Sequence, residues 1–313
     1  MLNKVCGLLL RIRAIKYLNF VGIFFDLCYH HNIFIIKFVT FIILEKPMKK
    51  LLAAALLMLA MCGSADAQRR MVLRGGSYPK ADTVQYYLPS SLQEGERCPL
   101  VVLLHGYGGT FRQWPSIADL QYYSDEFHFI IACPDGFKDS WYLDSPLKKG
   151  ENYGTFFKSV IMPTLRDSLP VDASMMFISG LSMGGHGALR LFMESPEFFR
   201  AAGSMSGVMD LTASSVASSI AKHLGKKSAD NVNWQLYSNL YNIDRLKAAG
   251  KPIIVNCGAQ DNLVDANRKF AKACAEGGVD VVYTESPGKH DKSYWAMVLP
   301  EQLRFFNKFV NKQ

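Results

Sequence analysis

The sequence predicts an α/β fold, a mostly parallel central sheet flanked by helices. Two observations carry that reading. From residue 80 onward, short apolar and β-branched runs alternate with amphipathic segments, the rhythm of strand–helix–strand units. Several of the runs are continuous apolar blocks, as in Leu100–Leu104, which suits strands covered on both faces.

In chain order, the expected strands are Thr83–Leu88, Leu100–Leu104, Phe127–Ala132, Met175–Ser179, Ala201–Met205, Pro252–Cys257 and Val279–Glu285. Helical spacing marks Thr155–Leu169, Gly184–Met193, Ala266–Glu276 and Tyr294–Val310. The stretch 208–250 breaks the rhythm: it is Ser- and Ala-rich, carries Trp234, Tyr237 and Tyr241, and reads as a partly helical insertion over one edge of the sheet.

Composition removes several alternatives. With 49% apolar and 20% charged residues in 313, the chain can bury enough surface to offset its ordering entropy, so disorder is excluded. The net charge of +8 is concentrated before residue 68, where eight Lys/Arg face three Asp/Glu. The remainder has no basic stripe able to neutralise many phosphates, and no nucleic-acid partner is expected.

That basic leader reads as a targeting segment. Met48-Lys49-Lys50, the apolar run Leu51 to Met61 and the exit Ala65-Asp66-Ala67 form a secretory signal peptide over 48–67, cleaved after Ala67. Residues 1–47 contain an apolar stretch broken by Asp26, His30, His31 and Lys37. Charges at a bilayer centre cost about 2.5–3.5 kcal/mol each. This part is read as upstream sequence preceding a true start at Met48, so the expected mature domain is 68–313, exported to the periplasm or medium. No membrane span is expected after cleavage. Cys98, Cys133, Cys257 and Cys274 remain, at strand ends or in apolar settings, and are expected as buried thiols; no metal-ligand spacing is visible.

In open sheets of this kind, ligands bind beyond the carboxyl ends of the strands. Four strands run there into His105-Gly106-Tyr107-Gly108-Gly109, Gly180-Leu181-Ser182-Met183-Gly184, Gly258-Ala259-Gln260-Asp261 and Ser286-Pro287-Gly288-Lys289-His290. Gly-x-Ser-x-Gly between a strand and a helix is a nucleophile elbow, a turn so tight that side chains two positions from the Ser would collide. A Ser hydroxyl needs a base. Of the histidines, His290 follows the last strand and can reach over Ser182, whereas His105 braces a loop, His128 lies in a strand, His186 lies in the helix after the elbow and His223 lies in the insertion. The base needs a carboxylate to fix its tautomer. Asp261 is preferred, with Asp265 and Asp210 as rivals. The amides of Met183 and Tyr107 are the expected oxyanion donors. Trp141 and Tyr142 are candidates for lining a substrate pocket; Trp295 is expected to pack the terminal helix.

These residues resemble the esterase D-like branch of the α/β-hydrolases, which includes S-formylglutathione hydrolase, tributyrin esterase, feruloyl and acetyl-xylan esterases and mycolyltransferases. The likeness spans nearly all of 80–312. Its most specific stretches are residues 103–109, 139–146, 180–189 and 204–207. It implies an α/β-hydrolase fold with Ser182 as nucleophile, His290 as base, Asp261 as acid and the Tyr107 and Met183 amides as oxyanion donors. The chain departs from the family pattern at Gly154, where relatives similar to tributyrin esterase tend to carry Glu. The expected activity is serine ester hydrolysis of small acyl esters, such as acetyl or feruloyl groups on polysaccharide, without a cofactor. The expected partner is a small-molecule or oligosaccharide ester. Two alternatives stand beside it: acyl transfer to a carbohydrate acceptor, and a non-catalytic binding module of the same fold.

Overall fold

A computed structural model describes residues 69–213 and 217–310; the expected upstream leader 1–47 and the expected signal peptide 48–67 lie outside them. Eight strands form one sheet: β1 (Arg69–Gly75), β2 (Tyr78–Tyr87), β3 (Cys98–Leu104), β4 (Ile130–Cys133), β5 (Val171–Gly180), β6 (Ala201–Met205), β7 (Ile253–Gly258) and β8 (Val281–Ser286). Their spatial order is β1-β2-β4-β3-β5-β6-β7-β8. The first two strands pair antiparallel and join the sheet through the antiparallel β2–β4 pair, while β3 to β8 run parallel.

The helices are α1 (Leu120–Phe127), α2 (a continuous helical stretch, 153–168), α3 (Met183–Glu194), α4 (Ala217–Leu224), α5 (Asn233–Tyr237), α6 (Ile243–Ala249), α7 (Val264–Gly277) and α8 (Lys292–Val310). Strand β3 shows why the central strands are apolar throughout. Successive side chains point to opposite faces. Leu100, Val102 and Leu104 pack in one core with residues of α2, α3 and α7. Val101 and Leu103 pack in a second core with residues of α1 and α8. Full burial of each such side chain contributes about 1.5–3 kcal/mol.

Strand β1 and helix α1 are absent from the sequence reading. Most of β1 is exposed, so it lacks the apolar alternation that marks a half-buried strand. Helix α1 buries only Leu120 and Ser124 and is fixed largely by its cap, the Asp119 carboxylate accepting the Tyr122 N–H. His128, expected inside a strand, is instead the left-handed residue that ends α1. The insertion holds α4, α5 and α6 and rests on helices α3 and α7 rather than on a bare sheet edge. All four thiols of the domain are free and buried, as expected. Among the described residues, no helix is long and apolar enough to cross a membrane.

Candidate active site

Strand β5 ends at Gly180, and α3 begins at Met183, so Ser182 occupies the turn between them at φ 55°, ψ −116°. The turn is possible because of its two glycines. A Cβ on Gly180 would strike the Gly184 carbonyl, and one on Gly184 would strike the carbonyls of Leu104 and His105. The strained Ser182 is pinned by its own N–H, which donates to the Met205 carbonyl of the neighbouring strand (2.9 Å).

The loops after β7 and β8 are stitched together: Gln260 N–H donates to the Gly288 carbonyl (2.9 Å), and Gly288 N–H donates to the Gln260 side chain (2.8 Å). This pairing brings Asp261 beside His290. The imidazole Nδ1 lies 2.9 and 3.1 Å from the two Asp261 oxygens, and Nε2 lies 2.9 Å from Ser182 Oγ. The network assigns the proton on Nδ1, donated to the carboxylate, leaving Nε2 to accept the Ser182 hydroxyl proton. Residues 182, 261 and 290 thus form one hydrogen-bonded chain across 108 positions of sequence.

The Asp261 carboxylate is fully enclosed, whereas the His290 side chain is 29% exposed. Burial raises the Asp261 pKa, but the hydrogen bonds from His290 and the Leu263 N–H, with the nearby Ser206 hydroxyl, outweigh it and hold the carboxyl below its ordinary range. Its rivals are spent elsewhere. Asp265 pairs with Arg268 at the surface, and Asp210 accepts from the N–H and hydroxyl of Thr212.

The other histidines are accounted for too. His105 Nδ1 meets the Gly106 carbonyl (2.7 Å) and Nε2 meets the Asp135 carbonyl, so it braces its loop. His186 is wholly buried; burial, with the nearby Arg190 charge, pushes it down to about 3, so it stays neutral. Burial lowers His223 as well.

Around Tyr107 and Met183, the amides of Gly106, Gly108, Gly109, Leu181, Ser182 and Gly184 all have acceptors. The N–H groups of Tyr107 and Met183 make no hydrogen bond among the described residues. Both belong to the turns that flank Ser182.

A cavity of about 260 Å³ opens over Ser182, walled by Tyr107, Trp141, Leu181, Val208, Leu263 and Trp295, with His290 on its rim. Trp141 lines it as expected. Tyr142 does not, which corrects the reading of that residue. Both adopt left-handed backbone angles, φ 54° and 58°. Tyr142 is fully buried in the core, and its hydroxyl donates to the His105 carbonyl (2.9 Å). Trp295 packs the terminal helix into the second core as expected, and it also walls the cavity, a role not read from sequence, meeting the His290 ring edge-on at 5.1 Å. Its position five residues after His290, one turn into α8, was the available signal. Gln113 was also missed; its side-chain oxygen accepts the Gly106 N–H and fixes the loop carrying Tyr107.

At Gly154 a carboxylate arrives from elsewhere in the chain. Glu194 Oε2 lies 3.0 Å from where a Cβ of residue 154 would stand, held there by Arg190. Asp144 Oδ1 lies 3.2 Å from the same point, so two carboxylates border Gly154.

Residues 77–306 match the family described as "Putative esterase". Among curated proteins, the chain is 26% identical to an acetyl esterase of Caldicellulosiruptor saccharolyticus, over 69% of this chain and 85% of that one. It is 23% identical to S-formylglutathione hydrolase of Bos taurus, over 72% and 88% respectively. Among solved structures, a ferulic acid esterase superposes with a TM-score of 0.66 at 25% identity, covering 77% of this chain and 97% of that one. The fluorophosphonate-binding serine hydrolase F of Staphylococcus aureus, solved with substrate bound, shares the fold with a TM-score of 0.67 at 19% identity, over 76% and 97%. With an eight-stranded α/β-hydrolase sheet and a family match running from β1–β2 into the last helix, this chain belongs to that esterase family.

Proposed function

We propose that the protein is an exported serine esterase that hydrolyses small acyl esters through an acyl-enzyme on Ser182. The observation that carries this reading is the continuous relay Ser182–His290–Asp261, each link 2.9 Å long. His290 Nε2 takes the Ser182 proton as Oγ attacks the ester carbonyl, then gives it to the departing alcohol. Asp261 holds the imidazole in the required tautomer and stabilises the imidazolium. The oxyanion forms between the unbonded amides of Tyr107 and Met183; such a donor is worth about 2.7–4 kcal/mol in the transition state. Water, activated by the same imidazole, then releases the acid and restores Ser182.

The cavity supports a small, uncharged acyl group. Its walls are mostly aromatic and aliphatic, with the neutral amides Gln113 and Asn262 among them, and no lysine or arginine lines it. Acetyl is the smallest fit, and an acetyl esterase is among the similar proteins. Feruloyl esters are the bulkier option, consistent with the likeness to a ferulic acid esterase. Together with the leader, this favours esterified polysaccharide over an intracellular thioester.

The purified protein is expected to hydrolyse p-nitrophenyl acetate, and Ser182→Ala to lower kcat by about ten-thousand-fold or more. Turnover that survives this substitution would refute the assignment.

A further inference from the structure

At the opposite end of the sheet from Ser182, three side chains of metal-binding type converge. Glu96 and Cys98 are two residues apart on the extended chain that leads into β3, a spacing that sends both side chains to one side. His128 ends α1 in the left-handed conformation, φ 55°, ψ 42°, just before β4, the strand paired with β3. One donor atom from each of the three residues lies within 4.8 Å of the other two. His128 Nε2 and Glu96 Oε1 are 2.7 Å apart.

The remaining polar atoms are already occupied in the way a metal site requires. Glu96 Oε2 accepts the Gln93 N–H (2.8 Å), which leaves Oε1 to face the cluster. His128 Nδ1 lies 3.5 Å from the Ser91 hydroxyl, which leaves Nε2 directed inward. Outer partners of this kind orient the ligands of metal centres. The Glu96 and His128 side chains are 35% and 38% exposed, so the cluster opens to solvent on one side, while Cys98 is buried on the other.

We infer that Glu96, Cys98 and His128 form a zinc-binding site, with water in the fourth position. One thiolate, one imidazole and one carboxylate suit zinc's borderline softness, whereas calcium and magnesium take oxygen ligands. Tetrahedral bonds of about 2.0–2.3 Å separate donor atoms by roughly 3.3–3.6 Å. Glu96 and His128 would part by less than about 1 Å and move toward the buried sulfur by about 1 Å, shifts open to these two solvent-facing side chains. On binding, the Cys98 thiol gives its proton to solvent. The thiolate and carboxylate then balance the two charges of the ion. The bound ion would clamp the beginnings of β3 and β4, away from the catalytic rim and independently of the esterase reading.

Titration of the purified protein with zinc sulfate against a chromophoric chelator is expected to show uptake of one ion per chain. Cobalt(II) in its place should give a thiolate-to-metal charge-transfer band. Glu96→Gln and His128→Ala should each weaken zinc binding more than tenfold. Cys98→Ser should abolish the cobalt band, and Cys274→Ser, which alters another buried thiol, should retain it. Both partly exposed substitutions test the site even if the Cys98 variant misfolds. Uptake unaltered by Glu96→Gln and His128→Ala together, cobalt bound without the band, or no uptake at all would each overturn the inference.

Discussion

The two ends of the sheet are built from the same strands but treat the backbone differently. Six non-glycine residues among those described hold positive φ: His128, Phe137, Trp141, Tyr142, Ser182 and Ser206. Five of them lie in loops that leave the carboxyl ends of β4, β5 and β6. Only His128 lies at the opposite end. Such conformations cost of order 1–3 kcal/mol each and persist where the surroundings over-determine them. At the carboxyl end the surroundings do so with buried hydrogen bonds. Ser182 N–H donates to Met205, Ser206 N–H to Asn256 (2.8 Å) and Tyr142 N–H to Ser140 Oγ (3.1 Å). His128 is held by a single helix-ending bond to the Ser124 carbonyl and by its side-chain partners. Strain therefore concentrates at the end that carries the Ser182–His290–Asp261 chain, and its one occurrence at the other end coincides with the metal-type cluster.

The largest effect expected from testing this contrast is chemical. Asp261→Asn should lower kcat for p-nitrophenyl acetate by about ten-thousand-fold, because an amide favours the wrong imidazole tautomer. A loss of less than tenfold would mean that something other than Asp261 orients His290, and the carboxyl rim would lose its central element. Next in size is the stability stored at the elbow. Ser182→Gly removes the side chain that resents φ 55° and should raise unfolding stability by about 1–3 kcal/mol while abolishing turnover. Urea denaturation measures this, and a fall in stability would show that the turn is not costly. The smallest effect belongs to the opposite end. Glycine is the preferred residue in a left-handed helix cap, so His128→Gly should stabilise the metal-free protein by up to about 1 kcal/mol. The same variant should lose any zinc-induced rise in Tm. A zinc-induced rise that persists would separate the strained cap from the ion.

The parts of this molecule that were legible in sequence are those whose requirements are local. The elbow needs two glycines at fixed offsets from Ser182, and Ala201–Met205 is a short apolar block between clear breaks, so the strand is found to the residue. The parallel order follows from strand–helix alternation and is observed from β3 to β8. Features determined by partners distant in the chain were harder. Strand β1 exists because β2 offers it a ladder, and its own side chains are largely exposed. Trp141 and Tyr142 are neighbours with the same aromatic character and both are buried in one core, yet only Trp141 also borders the cavity. Their own consecutive left-handed backbone conformations leave no mark on composition. Glu96 and His128 are 32 residues apart and meet only because α1 returns the chain from β3 to β4.

One further consequence follows from the fastening of Trp141. Its indole N–H donates to Ser219 Oγ on α4 (3.2 Å), and the Tyr237 hydroxyl donates to the Asp144 carbonyl nearby (2.9 Å). One wall of the substrate cavity is thus anchored to a segment outside the sheet, inserted between β6 and β7. Substitutions in that segment can reshape the mouth of the cavity, and because Val208 borders the cavity and its N–H reaches the Ser182 carbonyl (3.4 Å), they are also felt at the elbow.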